Sequence, residues 1–227
     1  MKFNEFVEGV FIEESKNRFL CTVMIENEIC ECYVPSSSRI ENYLKLRGRK
    51  VLLTINNKPE SRTNYSLFAV EFYNKYILLN LNIINKVVES IITNGRIKLL
   101  DNYQIRREQT FNGYKADLLL SKNENIALVE IKGIIASRRI VSFPTVYSER
   151  AVNQLTKIKE LLQSGIKVFY VITSLSPIVK KIELNSYYTE YKKLLYECME
   201  LGMEIRAFSL KFEENEIKFN KKILIIK

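Results

Sequence analysis

The stretch Asp117-Leu-Leu-Leu-Ser-Lys-Asn-Glu-Asn-Ile-Ala-Leu-Val-Glu-Ile-Lys132 consists of two apolar runs joined by a polar turn. Asp117 opens the first run, which ends at Leu120. Ser121 to Asn125 reads as the turn, and Ile126 to Lys132 as a second, buried strand. Folding this hairpin about Asn123 places Asp117 opposite the neighbourhood of Val129 and Glu130. Side chains alternate along a strand, so Glu130 and Lys132 share one face while Ile131 points the other way. Two carboxylates and one ammonium then converge at one edge of a sheet. Such a set suits a magnesium-dependent phosphodiesterase. Carboxylate oxygens hold a hard cation. The cation polarises phosphate and lowers the pKa of a bound water. The lysine orients that water or stabilises developing charge. Glu-x-Lys by itself is common at solvated strand ends, and the facing aspartate is what gives the tripeptide meaning.

The chain has 227 residues, 47% of them hydrophobic, enough for one large domain or two modest ones with a real core. No stretch approaches the ~20 uninterrupted apolar residues of a membrane span. Met1 to Glu8 lacks an apolar signal core, so secretion is not expected. The cysteines are Cys21, Cys30, Cys32 and Cys198. Cys30 and Cys32 fall on one face of a strand and read as small core residues. The chain contains no histidine, and without one or a second cysteine pair no zinc site can be completed. A reduced, cytoplasmic protein is expected. The lack of histidine also removes Ser-His-Asp triads, Cys-His pairs and histidine-dependent nucleases. Hydrolytic chemistry is left to carboxylates, lysine, tyrosine or cysteine.

The net charge of +9 is uneven. Residues 1–80 carry 11 basic and 10 acidic side chains, against 24 and 16 in residues 81–227. Residues 36–62 hold Arg39, Lys45, Arg47, Arg49, Lys50, Lys58 and Arg62 against Glu41 and Glu60. Residues 132–159 hold Lys132, Arg138, Arg139, Arg150, Lys157 and Lys159 against Glu149 alone. The second segment begins inside the proposed site. Both suit a polyanionic partner such as DNA or RNA, and ordinary solvated charge is the plainer reading.

Outward from the hairpin the pattern divides the chain near residue 80. Gly9–Ile12, Phe19–Ile25, Ile29–Val34, Lys50–Ile55, Tyr65–Phe72 and Tyr76–Leu81 are short β-rich runs between polar turns, which suggests a small barrel over residues 1–80. After Asn82, apolar residues Ile83, Ile84, Val87, Val88, Ile91 and Ile92 recur at helical spacing and Gly95 sits where a cap belongs. Beyond the hairpin come a helix from Ser148 to Gly165, a strand over Ile166–Thr173, a helix over Ser186–Leu201 and a strand over Met203–Phe208. This order predicts an α/β domain with a mixed sheet over residues 81–227. No Pro/Gly-rich linker separates the two parts, so they are expected to pack together.

Several stretches then resemble one family. Asn17-Arg-Phe-Leu20, Val34-Pro-Ser-Ser-Ser-Arg39, Ser61-Arg-Thr-Asn-Tyr-Ser-Leu67 and Asn85 with Val87 occur in order, followed by Glu108, Asp117 and Glu130-Ile-Lys132. Phe143-Pro144, Ser148-Glu-Arg150 and Gly202-Met-Glu-Ile-Arg-Ala207 complete the series. The whole resembles the sugar fermentation stimulation protein A family, over about residues 9–210. That family joins an OB-like barrel to a PD-(D/E)xK nuclease-type domain. The resemblance implies a Glu…Asp…Glu-x-Lys series at Glu108, Asp117, Glu130 and Lys132. The chain departs from the family pattern at Lys115-Ala116, Thr145, Ala151, Asn153-Gln154 and Gly133-Ile-Ile-Ala136.

The expected protein is a metal-dependent nuclease. Asp117, Glu130 and the Ile131 carbonyl would bind Mg²⁺ or Mn²⁺, Lys132 would orient water, and Glu108 would add a third carboxylate. Glu89, on the polar face of the preceding helix, is an alternative donor, with a solvated helix charge as its plainer role. Arg150, Gln154 and Lys157 share a helix face and would hold the scissile phosphate. Arg39, Arg47, Arg49 and Arg62 would guide the strand across the barrel, with Tyr33 and Tyr43 as candidates for stacking bases. The alternative is a non-catalytic DNA-binding regulator with a degenerate nuclease site. A third reading is an assembly module whose basic surface meets an acidic protein. DNA versus RNA, the kind of strand, and whether the chain dimerises stay open.

Overall fold

A computed structural model describes residues 2–3, 5–36, 39–57, 59–98 and 102–226. Ser37 and Ser38 of the Val34–Arg39 turn and Lys58 of the first basic segment lie outside the described residues.

The first half follows from alternation. β1 (Val7–Glu14), β2 (Leu20–Ile25), β3 (Glu28–Tyr33), β4 (Lys50–Ile55), β5 (Tyr65–Phe72) and β6 (Lys75–Leu78) pair in the order β3-β2-β1-β4-β5-β6. Parallel pairing of Cys32 with Tyr65 and Tyr33 with Ser66 brings β3 against β5 and closes five strands into an OB barrel. Inward positions such as Phe11, Cys21, Val23, Leu53, Leu67 and Phe68 are buried. Glu26 and Asn27 both take positive φ, as a two-residue hairpin turn between right-twisted strands requires. Cys21 and Cys32 face each other across β2 and β3, both buried, as small core residues.

The second half holds α1 (Ile84–Thr93), β7 (Gln104–Phe111), β8 (Tyr114–Lys122), β9 (Asn125–Ile134), β10 (Ile140–Phe143), α2 (Glu149–Gln163), β11 (Lys167–Ser174), β12 (Lys181–Leu184), α3 (Thr189–Glu200), β13 (Glu204–Glu213), β14 (Glu216–Lys222) and β15 (Leu224–Ile226). The main sheet runs β14-β13-β11-β9-β8-β7, with β9, β11 and β13 parallel and the outer strands antiparallel. β10, β12 and β15 make a small parallel sheet. No helix among the described residues is long and apolar enough to cross a membrane.

Two features differ from the sequence reading. β7, β10, β12, β14 and β15 were not anticipated, because short or outer strands carry charge on an open face and lack a long apolar run. β7 bears Arg106, Arg107 and Glu108, all exposed. In consequence the Asp117–Lys132 hairpin is not at a sheet edge. β7 pairs outside β8, and β11 lies beyond β9.

The main sheet buries both faces. One face, with Leu118, Val129, Ile131, Phe169 and Val171, shares a continuous core with α1 and the barrel. The other, with Leu128, Tyr170 and Ile172, is covered by Val152, Leu155 and Ile158 of α2 and Leu195 of α3. The proposed boundary at residue 80 falls between β6 and α1, and the core runs across it. Phe6 meets Phe68 of the barrel at 4.7 Å between ring centroids, and Phe68 meets Phe212 of β13 at 5.1 Å.

Gly133 lies where this packing meets the site. A Cβ there would come 2.7 Å from Leu81 Cδ2 and 3.0 Å from Ile84 Cδ1, at the start of α1. Nearby, Asn85 Nδ2 of α1 reaches Asp117 Oδ1 at 3.0 Å. Both crowding atoms are ends of flexible side chains that can turn aside, so Gly133→Ala is expected to lower stability by no more than about 1 kcal/mol. Urea unfolding checks this as a lower midpoint at unchanged slope.

Candidate active site

Asp117 lies on β8, Glu130 and Lys132 on β9, and α2 spans above them. Leu118 pairs with Val129, the last backbone pair before Asp117 and Glu130. The backbone ladder ends there. Ala116 belongs to the core under α2 and Leu118 to the core under the barrel, although alternation would put both on one face. The strand therefore kinks at Asp117, and Asp117 Oδ2 itself accepts from the Ile131 N–H at 2.7 Å. A side-chain carboxylate has taken the place of a ladder carbonyl and is held rigidly by doing so.

Glu130 is 2% exposed. Its Oε1 accepts from Lys132 Nζ at 2.7 Å, and its Oε2 accepts a short hydrogen bond from the Tyr114 hydroxyl. Lys132 Nζ also donates to Gln154 Oε1 at 2.6 Å, which ties β9 to α2. Ile131 turns its side chain to the opposite core, as alternation requires. Burial first, and the Glu130 charge second, push the Asp117 carboxyl up to about 6, against hydrogen bonds from Ile131 N–H and Asn85 and the Lys132 charge. Burial, then Glu130, holds the Tyr114 hydroxyl well above its ordinary range, so it stays a donor. The Tyr170 and Tyr191 hydroxyls, paired at 2.6 Å, are raised too, by burial first.

Asp117, Glu130, Lys132, Arg150 and Tyr147 line one hollow of about 540 Å³. Two carboxylates face one ammonium and one guanidinium, so formal charges balance in this partly buried place. Each carboxylate oxygen accepts one hydrogen bond and retains a lone pair. These all-oxygen donors fit a hard divalent cation that keeps several waters, with Asp117 and Glu130 as the side-chain ligands.

Other expected residues fall differently. Glu108 stands opposite Asp117 on β7 at φ 54°, with its carboxylate out at Lys115 Nζ, 3.2 Å away. Glu89 is held by Arg107 Nε at 2.8 Å. Glu108 also lines a neighbouring hollow of about 710 Å³ with Asp117, Arg150, Gln154 and Lys157. Among the described residues no group of three acidic, histidine or cysteine side chains gathers for a metal. Arg150, near the N-terminus of α2, lines the hollow, and Ser148 caps that helix by accepting from the Ala151 N–H at 3.3 Å. Gln154 accepts from Lys132 through Oε1, which leaves its Nε2 as the group able to donate to a phosphate, and Lys157 Nζ donates to Glu160 at 2.7 Å.

The barrel arginines have different surroundings. Arg39 donates to the carbonyls of Ser15 and Lys16 at 3.1 and 2.7 Å, fastening the β1–β2 loop. Arg49 lies over the Phe72 ring at 3.8 Å. Arg47 is exposed before β4 and Arg62 beyond its far end, so the strand length separates them. Arg62, Tyr33, Phe19 and Ile55 line a barrel hollow of about 900 Å³. Tyr43 lines the active-site hollow instead. Tyr114 went unread. The Asn112-Gly113 turn before it signals a hairpin, but its reach to Glu130 depends on the kink at Asp117.

An OB barrel followed by a mixed α/β sheet with Asp117, Glu130 and Lys132 on its face defines a two-part protein with a nuclease-like fold. Residues 14–79 match the SfsA N-terminal OB domain, and residues 82–216 match the sugar fermentation stimulation protein RE domain. The chain belongs to the sugar fermentation stimulation protein family. A homolog from Clostridium perfringens (strain SM101 / Type A) is 30% identical, covering 100% of both chains. Another from Clostridium beijerinckii is 25% identical, again over 100% of both. The structure of Pyrococcus furiosus SfsA in complex with Ca²⁺ has the same fold, with a TM-score of 0.88 at 23% identity over 100% of this chain and 98% of that one.

Proposed function

We propose that the protein is a metal-dependent phosphodiesterase acting on DNA or RNA in the cytoplasm. The observation that carries this is that Asp117 and Glu130 line one hollow with Lys132, whose Nζ lies 2.7 Å from Glu130. Mg²⁺ or Mn²⁺ held by Asp117, Glu130 and the Ile131 carbonyl supplies Lewis acidity toward phosphate and a more acidic bound water. The chain does the rest. Asn85 and the Ile131 N–H fix Asp117, and Tyr114 fixes Glu130. Gln154 aims Lys132, whose ammonium orients the attacking water or meets charge developing on phosphate. Arg150 engages the phosphate itself.

Labelled single- and double-stranded DNA and RNA, incubated with Mg²⁺, Mn²⁺ or EDTA, test the reading. Cleavage that EDTA stops is the expected result. Glu108 turned to Lys115, leaving two carboxylates at the site, favours a second reading in which the protein binds nucleic acid without cutting it. Binding with no cleavage under any metal selects that one.

In either reading the barrel contributes affinity. Phosphate contacts release counterions, so binding weakens as salt rises. Arg47→Ala and Arg62→Ala are each expected to weaken binding alike across sequences and to flatten the log–log salt slope by about one unit. Arg39→Ala is expected to loosen the β1–β2 loop instead, because its guanidinium is used within the barrel. Fluorescence anisotropy at several salt concentrations checks the slopes; unchanged slopes at both arginines would place the nucleic acid elsewhere.

A further inference from the structure

Two tyrosine rings, Tyr147 and Tyr188, meet where two loops come together beside the active-site hollow, and Tyr187 precedes Tyr188 in sequence. Tyr147 lies between β10 and α2 and is 49% exposed; Tyr187 and Tyr188 lie between β12 and α3, with Tyr187 90% exposed. Tyr147 lines the same hollow as Lys132 and Arg150. The Tyr147 and Tyr188 rings lie 5.7 Å apart at 46°. Neither loop is loosely attached. Asn185 N–H donates to the Phe143 carbonyl at 2.8 Å, and Asn185 Nδ2 to the Pro144 carbonyl at 3.1 Å. Asn185 Oδ1 in turn accepts from the Tyr187 N–H at 3.0 Å. The backbone thus holds the Tyr147 and Tyr187 side chains out toward solvent, Tyr147 in the same hollow as Arg150, while Tyr188 is half-buried against the core under α2 and α3.

A nucleobase can cover such a surface only when its own flat face is free. In a duplex both faces of a base are occupied by stacked neighbours, and protein meets edges and phosphates. Unpaired bases, by contrast, stack on aromatic rings regardless of sequence. From this we infer that Tyr147, Tyr187 and Tyr188 form a stacking platform for unpaired bases beside the reacting phosphate, so that the strand taken by this site is single-stranded or locally opened. The inference rests on the nucleic-acid reading above but not on hydrolysis. It does not involve the barrel hollow, whose residues are separate.

The test uses the full chain and a short single-stranded DNA oligonucleotide carrying 2-aminopurine, with its blunt duplex and its RNA equivalent as further probes. Binding is measured in EDTA, so that no cleavage intervenes. The wild type is expected to change the 2-aminopurine emission of a single strand and to bind it more tightly than the duplex. Tyr147→Ala and Tyr187→Ala should each weaken single-strand binding by about tenfold, the scale of one lost base stack, and leave duplex binding unchanged. Tyr147→Phe and Tyr187→Phe keep the ring face and should stay within about twofold of wild type. Equal losses on single strand and duplex, or no loss in either alanine variant, would overturn the platform. So would a sedimentation shift from dimer to monomer in the alanine variants, which would make the patch an interface between copies. Cleavage separates this from the proposed activity. A wild type that never cuts but selects single strands through these rings loses the nuclease reading and keeps the platform. A wild type whose cleavage of single strands is unaffected by both alanines keeps hydrolysis and loses the platform.

Discussion

Lys132→Met is expected to lower Mg²⁺-dependent cleavage at saturating substrate by about a thousandfold, within the range measured for loss of a positioned catalytic donor. The same change should also lower stability. Lys132 Nζ is the cation on Glu130, and Glu130 is 2% exposed. Removing one member of a buried pair strands the other, at a cost of about 3 kcal/mol. The two effects separate in a double variant. Glu130→Gln with Lys132→Met has no stranded charge, keeps an acceptor for Tyr114, and should recover most of the stability while regaining no activity. Single-turnover rates and urea unfolding on the three variants check both parts. Wild-type turnover in Lys132→Met would remove Lys132 from the chemistry. Equal instability in single and double variants would mean that the loss is packing rather than charge.

Asp117→Asn is expected to raise the melting temperature at pH 7.5 and to abolish cleavage. The Asp117 carboxyl moves from an ordinary value of 3.8 to about 6 in the fold. The folded protein therefore binds this proton more tightly than the unfolded chain does. Stability from the group is fully present below about pH 4 and is lost as pH rises through about 6. At pH 7.5 the ionised carboxylate costs on the order of 2–3 kcal/mol. Asparagine cannot ionise; its side-chain oxygen can accept from the Ile131 N–H, and its amide can donate to Asn85 once the Asn85 amide turns its oxygen inward. The stabilisation should shrink toward zero near pH 4, and Mg²⁺ should narrow it at pH 7.5 by stabilising the wild type alone. Melting curves from pH 4 to 8 with and without Mg²⁺ decide this. A difference in melting temperature that does not vary with pH would mean that the Asp117 charge is not what the fold strains against.

What could be read from the chain alone was whatever depends on neighbours in sequence. Alternation and turn residues disclose the barrel strands, and β4 and β5 run over the residues expected. Apolar spacing discloses α1 and α2, and the cap at Ser148. The meeting of Asp117, Glu130 and Lys132 is also local arithmetic, because a hairpin's register follows from its turn. What needed the tertiary structure is every contact made across the sheet or between halves. Tyr114 reaches Glu130 only because the strand kinks at Asp117. Glu108 was read as a third carboxylate and Glu89 as either an alternative donor or a solvated helix charge, and the fold pairs them with Lys115 and Arg107. Arg39 was read as a phosphate contact and is satisfied by loop carbonyls more than 20 residues away, at Ser15 and Lys16. Periodicity assigns a side chain to a face, and backbone geometry enforces that assignment. A long charged side chain has no such constraint. It settles on the partner that the folded chain brings nearest, and that distance is set by strand order and packing, which no local pattern encodes.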